Sequence, residues 1–238
     1  MKIAVITDVH ANLPALQAFK DRTLVDGYDQ IVHLGDAIAI GPYPRECLEM
    51  LLGFKNIQFV LGNHDDWYGH GLSQPRPGWM TEGELSHQRW THGYRDEIRS
   101  WPWIFSDHFQ GIAISFLHYA LDADGKSFKG IKQDLTTEDC DGLFDLRADY
   151  VFYGHTHKQS DHISRSRYIT PGSFGCQAKA TAPYLHLEFV DGKLDVAFRQ
   201  VNYDDKNLFD AFETRKVPAR EFIYKAFFGG RFTLTEKE

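Results

Sequence analysis

Five short polar blocks carry most of the chemistry this 238-residue chain can do: Asp8-Val9-His10, Gly35-Asp36, Gly62-Asn63-His64-Asp65, Leu117-His118 and Gly154-His155-Thr156-His157. Asp8, His10, Asp36, Asn63, His118, His155 and His157 together offer two carboxylates, one amide and four imidazoles. All are nitrogen or oxygen donors, which suits manganese, iron, zinc or cobalt rather than a cysteine zinc site. Seven ligands exceed what one transition-metal ion takes. Two ions about 3.5–4 Å apart, sharing one carboxylate and one water, use them well. Two divalent ions bring four positive charges, and two aspartates and a bridging hydroxide remove three. The local balance stays positive and attracts a phosphate anion.

Each block alone is a weak signal. Gly62-Asn63 is an ordinary turn dipeptide, and a lone His118 at a strand end fits a core histidine. What carries the argument is their joint occurrence, in order, each at the end of an apolar run. Histidines 33, 70, 87, 92, 108, 162 and 186 lack that context and read as ordinary.

The apolar runs are the elements that must position the blocks. Lys2–Thr7, Gln30–Leu34, Ile57–Leu61, Ile112–Leu117 and Tyr150–Tyr153 read as strands. Asn12 is a plausible N-cap for a helix with Pro14 in its first turn, running to about Val25 and stopped by Gly27. Pro44–Leu52 repeats apolar residues at helical spacing, and Thr136–Leu143 is a short helix. Strand–helix alternation predicts an α/β sheet with crossovers. Ligands then gather where the carboxyl ends of the strands line up. In an extended segment Asp8 and His10 point to one side, as do His155 and His157. Residues 66–110 break the pattern: they hold all five tryptophans, a Pro/Gly loop at Gln74–Gly78 and a helical stretch over Glu82–Arg99. From Asp161 onward hairpins dominate, with Asp191-Gly192 joining Tyr184–Val190 to Lys193–Val201. The expected organisation is one domain over residues 1–238. Residues 66–110 form a helical cap and residues 204–238 a peripheral helical segment.

Composition narrows the class. Hydrophobic residues make up 42% and charged residues 25%, enough for a sizeable core and unlike a disordered chain. The formal charge of -7 disfavours a long nucleic-acid track. Cys47, Cys140 and Cys176 are scattered, which reads as isolated buried thiols in a reducing compartment. No apolar run is long enough for a membrane span, and the protein is expected to be cytoplasmic.

The blocks resemble the signature of the calcineurin-like metallophosphoesterases, D-x-H, G-D, G-N-H-D, H and G-H-x-H, in the small bacterial and archaeal phosphodiesterase-like branch. The similarity extends through DVHANLPAL, LGDAIAIGPYP and TPGSFG. It implies a β-sandwich flanked by helices, here with a Trp-rich helical insertion. It also implies that Asp8, His10 and His157 hold one divalent ion, that Asn63, His118 and His155 hold the other, and that Asp36 bridges. Manganese is the first expectation, with iron, zinc, cobalt or nickel as alternatives. His64 is placed beside the substrate phosphate as a catalytic group, oriented by Asp65. Asn12 and Tyr119 are candidate substrate contacts. Where relatives often carry Gly after the histidine matched by His118, Tyr119 can narrow the pocket or offer its hydroxyl.

The implied activity is hydrolysis of a small phosphoester by a metal-bridging hydroxide, on a phosphodiester, a nucleotide or a dinucleoside polyphosphate. A phosphoprotein phosphatase and a non-catalytic scaffold are the alternatives. The tryptophans can stack a nucleobase or pack a small core of their own.

Overall fold

The computed structural model describes residues 1–71 and 78–231, without the side chains of 79 and 80. The 74–77 part of the expected Pro/Gly loop and the last seven residues of the tail lie outside the described residues.

Two five-stranded mixed sheets face each other. In the first, β1 (Lys2–Ile6) runs parallel to β2 (Gln30–His33), which pairs parallel with β3 (Ile57–Phe59). The hairpin of β9 (Thr181–Val190) and β10 (Lys193–Asn202) completes it, with β9 antiparallel to β1. The second sheet has the order β4-β5-β6-β8-β7. There β5 (Ile112–Leu117), β6 (Tyr150–Phe152) and β8 (Arg167–Thr170) run parallel, edged by antiparallel β4 (Ile104–Phe109) and β7 (Ser160–Ile163).

The period-2 geometry of β1 explains the layering. Ile3 and Val5 face inward against Phe116, Phe152, Ile169 and Leu185. Ala4 and Ile6 face outward against Phe19 and Leu48, on α1 (Leu13–Asp26) and α2 (Pro44–Leu52). A strand covered on both faces is continuously apolar, as Ile3-Ala4-Val5-Ile6 is. Each fully buried Leu or Phe side chain adds roughly 1.5–3 kcal/mol. On the second sheet, Leu117, Val151 and Tyr153 pack outward beneath α6 (Thr137–Leu143).

Helix ends follow their caps. Asn12 Oδ1 accepts from the Ala15 N–H, and Gly27 closes α1 in the left-handed conformation. Two features differ from expectation. The helix α3 (Asn63–His70) starts at Asn63, within the expected turn and ahead of the cap expected from residue 66, because the Asp65 carboxylate reaches back to the Gly62 N–H and starts it. Residues 104–109 form strand β4 rather than part of a helical cap. Its side chains at 106–108 are polar and exposed, so its apolar signal is thin. The missed cue is the two-residue turn at Gln110-Gly111, where both residues have positive φ.

Helices α4 (Gly78–Trp90) and α5 (Arg95–Arg99) complete the segment. Its tryptophans divide. Trp101 stacks on Phe59 at 4.4 Å in the core, whereas Trp67 lies 4.5 Å from the His64 ring. The C-terminal helices α7 (Lys206–Thr214) and α8 (Arg220–Phe227) are less peripheral than expected. They share an apolar cluster with Cys176, and Phe227 sits 5.7 Å from the His157 ring.

Candidate metal centre

The blocks converge where the carboxyl ends of β1, β2, β3, β5 and β6 meet, so residues far apart in sequence share one buried site. Backbone bonds tie the loops together. Asp8 N–H donates to Gly35 O at 2.9 Å, His10 N–H to Asp36 O at 3.0 Å, and Gly154 N–H to His118 O at 2.9 Å.

Two donor triads result. In one, Asp8 Oδ1 lies 3.6 Å from His10 Nε2 and 3.3 Å from His157 Nε2, and the two nitrogens are 2.9 Å apart. In the other, Asn63 Oδ1 is 3.0 Å from His118 Nε2 and 2.7 Å from His155 Nδ1, and those nitrogens are 3.2 Å apart. Asp36 Oδ2 stands between them, 3.8 Å from His10 Nε2 and 3.3 Å from His118 Nε2.

Each carboxylate is half tied. Asp8 Oδ2 accepts from the Thr7 hydroxyl and the His155 N–H, leaving the buried Oδ1 without a hydrogen-bond partner among the described residues. Asp36 Oδ1 accepts from the His64 N–H and aims Oδ2 inward. Two of the four imidazoles are oriented in the same manner. His10 Nδ1 lies 3.1 Å from Ile38 O, and His118 Nδ1 lies 2.8 Å from Leu34 O. Those N–H groups are therefore assigned to the carbonyls, and each Nε2 lone pair turns inward. Lone pairs facing lone pairs at about 3 Å repel unless a cation lies between them. The residues present therefore fit divalent metal ions.

Electrostatics agree with this. Burial works against the charges of Asp8 and Asp36, but neighbouring imidazoles outweigh it and hold both carboxyls well below their usual range. His118 is also disfavoured by burial, yet the Asp36 charge pushes it up to about 9. Burial and charged His118 push His155 down to about 3. In metal-free protein the His118–Asp36 pair therefore stabilises the fold fully below about pH 6.5, the ordinary value for histidine. That contribution is lost as pH rises through about 9. Chelator-treated protein should show a falling Tm across this window, and His118→Gln should flatten it. An equal slope in the variant would assign the effect elsewhere.

The backbone is strained where the donors sit. Asp8, His10, Asp36, His155 and His157 all have φ between 46° and 66°. The alternation expected of extended segments therefore gives way to left-handed kinks that turn each pair inward. Such conformations cost of order 1–3 kcal/mol each and persist only where the surroundings over-determine them. Close backbone approach demands glycine at 62, where a Cβ would lie 2.2 Å from both the N and the Oδ1 of Asp36. Gly62→Ala should displace Asp36, cost about 1–3 kcal/mol or more and weaken metal retention, read by thermal denaturation and elemental analysis. Wild-type values for both would sink this account of the contact.

Comparison with known proteins agrees with the geometry. Residues 1–192 match the family model described as the calcineurin-like phosphoesterase superfamily domain. The chain belongs to the calcineurin-like phosphoesterase superfamily. It is similar to the uncharacterized protein MJ0912 of Methanocaldococcus jannaschii, at 27% identity over 96% of this chain and 98% of that protein. The hypothetical protein PH1004 of Pyrococcus horikoshii shares the fold with a TM-score of 0.75 at 23% identity, covering 97% of this chain and 99% of that one. A metallophosphoesterase from Sphaerobacter thermophilus does so with a TM-score of 0.70 at 24% identity, covering 92% and 98%.

Within this superfamily fold, three expected site roles change. Asp65 does not orient His64. Fully buried, its carboxylate accepts from the N–H groups of Asp36, Ala37 and Gly62, so it holds the Asp36 loop. The side chain that meets His64 is Glu84 on α4, with Oε1 2.7 Å from Nδ1 and the other oxygen buried without a partner among the described residues. No motif marks Glu84, and only the packing of α4 brings it in. Asn12, expected as a substrate contact, has its polar atoms engaged within the fold. It is buried, its oxygen caps α1 and its amide donates to Gly175 O and the Tyr203 hydroxyl, which uses its polar atoms. Tyr119 is likewise fully buried, with its hydroxyl bonded to the Lys132 backbone and its ring 5.0 Å from His155. It supports a candidate ligand from behind, so Tyr119→Gly should create a core cavity rather than change selectivity. Of the histidines read as ordinary, His87 and His33 are buried, and each accepts a backbone N–H through Nδ1 beside the Asp36 loop.

Proposed function

We propose that this chain is a dinuclear metal-dependent phosphoester hydrolase acting on a small phosphodiester or nucleotide-type substrate. The observation that carries the reading is the inward oxygen of Asp36, set between two separate donor triads. Asp8, His10 and His157 would hold one divalent ion and Asn63, His118 and His155 the other, with Asp36 shared. When bound, such ions supply Lewis-acid polarisation of phosphoryl oxygens and a water of lowered pKa. The chain's own residues do the rest. Asp65 keeps Asp36 in register. His64 borders the cavity of about 560 Å³ that also contains Asp36, Asn63, His155 and His157. From there it can hydrogen-bond a phosphoryl oxygen or give a proton to the leaving alkoxide. Burial opposes charge on His64, but Asp36 and Glu84 outweigh it and favour the protonated form.

A second hollow adjoins the first across Asn63 and His155, walled by Trp67, Trp103, Phe128 and Ile131 with Lys126 at its border. Flat aromatic surface next to a cationic centre favours an ester bearing a planar group, such as a nucleobase, over a phosphoprotein loop. The complete donor set gives a non-catalytic scaffold no support. Among the described residues, no helix is long and apolar enough to cross a membrane.

The test is a turnover panel of nitrophenyl monoesters and diesters, dinucleoside polyphosphates and phosphopeptides, run with manganese, cobalt, zinc and iron alongside metal counts. Diester or nucleotide turnover with about two equivalents bound is expected. No turnover in the metal-loaded protein would favour the scaffold, and preference for phosphopeptides would overturn the substrate class.

A further inference from the structure

Cys176 differs from the other two thiols. Cys47 packs in the apolar layer of α1 and α2, and Cys140 in the layer under α6. Cys176 lines the same cavity as Asp36 and His157. Its Sγ and one ring nitrogen each of His10 and His157 all lie within 4.8 Å of one another. For an ion about 2.0–2.1 Å from nitrogen and 2.3 Å from sulfur, neighbouring donors lie about 3–3.5 Å apart, which is within this span and leaves room for the Asp8 and Asp36 oxygens in a five- or six-coordinate shell.

The loop that carries Cys176 is built onto the site. Ser173 N–H donates to His157 O at 3.1 Å, Ser173 Oγ to Asp8 O at 3.0 Å, and Gly175 N–H to Asp8 O at 2.9 Å. Cys176 N–H in turn donates to Ser173 Oγ at 3.0 Å. The thiol is therefore held in register with the two donors it faces. An independent observation points to a cation at the same place. Asp8 Oδ1 is fully buried, has no hydrogen-bond partner among the described residues and lies 3.3 Å from His157 Nε2.

We propose that Cys176 is a thiolate ligand of the metal ion held by Asp8, His10 and His157, making that half of the centre a mixed oxygen–nitrogen–sulfur site. The proposal rests on reading the site as a metal centre. Binding forms one metal–sulfur bond, and the thiol proton leaves to solvent. A thiolate donor favours zinc, iron or cobalt over manganese in that half, against the manganese first expected from the sequence. The Asn63–His118–His155 half keeps only nitrogen and oxygen donors.

Cobalt(II) added to metal-free protein tests this without reference to turnover. The wild type should show a near-ultraviolet sulfur-to-cobalt charge-transfer band alongside visible d–d bands. Cys176→Ser should lose the first and keep the second. Its zinc affinity should fall about 10–100-fold, with manganese affinity changed far less. The double variant Cys47→Ala/Cys140→Ala should retain the band, which assigns it to Cys176 even if Cys176→Ser fails to fold. Visible bands without charge transfer in the wild type would overturn the thiolate ligand alone. Failure to bind cobalt at all would overturn the metal-centre reading with it.

Discussion

Asp36→Asn is expected to strip both metal positions at once. Its inward oxygen lies within 3.8 Å of donors from both triads, so in the proposed dinuclear centre the substitution would remove one negative charge from between two dications. At an effective dielectric of about 20, a pair of unit charges 4 Å apart is worth about 4 kcal/mol. Losing it weakens each site by roughly 10³-fold. The amide is close to isosteric, and its carbonyl can still accept the His64 N–H that Asp36 Oδ1 takes now. The loss should therefore appear in elemental analysis after gel filtration, with circular dichroism little changed. Asp8→Asn should affect mainly the position shared with His10 and His157. Two tightly retained equivalents in Asp36→Asn would rule out a shared carboxylate.

His64→Ala should leave metal content intact and lower turnover by roughly 10²–10⁴-fold. The backbone N–H of His64 already serves Asp36, and truncating the ring does not remove it. The chemistry is separated by leaving group. If the ring protonates the departing oxygen, the defect is largest for alkyl esters and shrinks for nitrophenyl esters, which leave as anions. A defect independent of leaving-group pKa would make the ring a binder of the phosphate. Loss of metal would contradict both roles. Glu84→Gln should reproduce part of the defect, roughly tenfold, with the same leaving-group dependence, because the carboxylate fixes the ring at 2.7 Å. A Glu84→Gln enzyme indistinguishable from wild type would reduce that contact to packing.

The sequence by itself determined the ligand candidates and the elements that end beside them. Asp8, Asp36, Asn63, His118, His155 and His157 follow apolar runs that become β1, β2, β3, β5 and β6. Asn12, Gly27 and Asp191-Gly192 mark boundaries through local backbone chemistry that needs no distant partner. Information of this kind is short-range: a cap or a two-residue turn is decided within a few residues. Only the tertiary structure decided which atoms meet. Glu84 reaches His64 across a helix pair, and Asp65 turns from its sequence neighbour to the Asp36 loop. Cys176 leaves the class of isolated thiols because its loop is bonded to Asp8 and His157. Tyr119 and Asn12 lose their expected access because burial and hydrogen bonding claim their polar atoms. The five left-handed candidate ligand residues make the same point: none is a residue type that requires positive φ, and no local signal announces it. The strain is held by bonds between loops that the fold brings together, and residue order along the chain does not contain them.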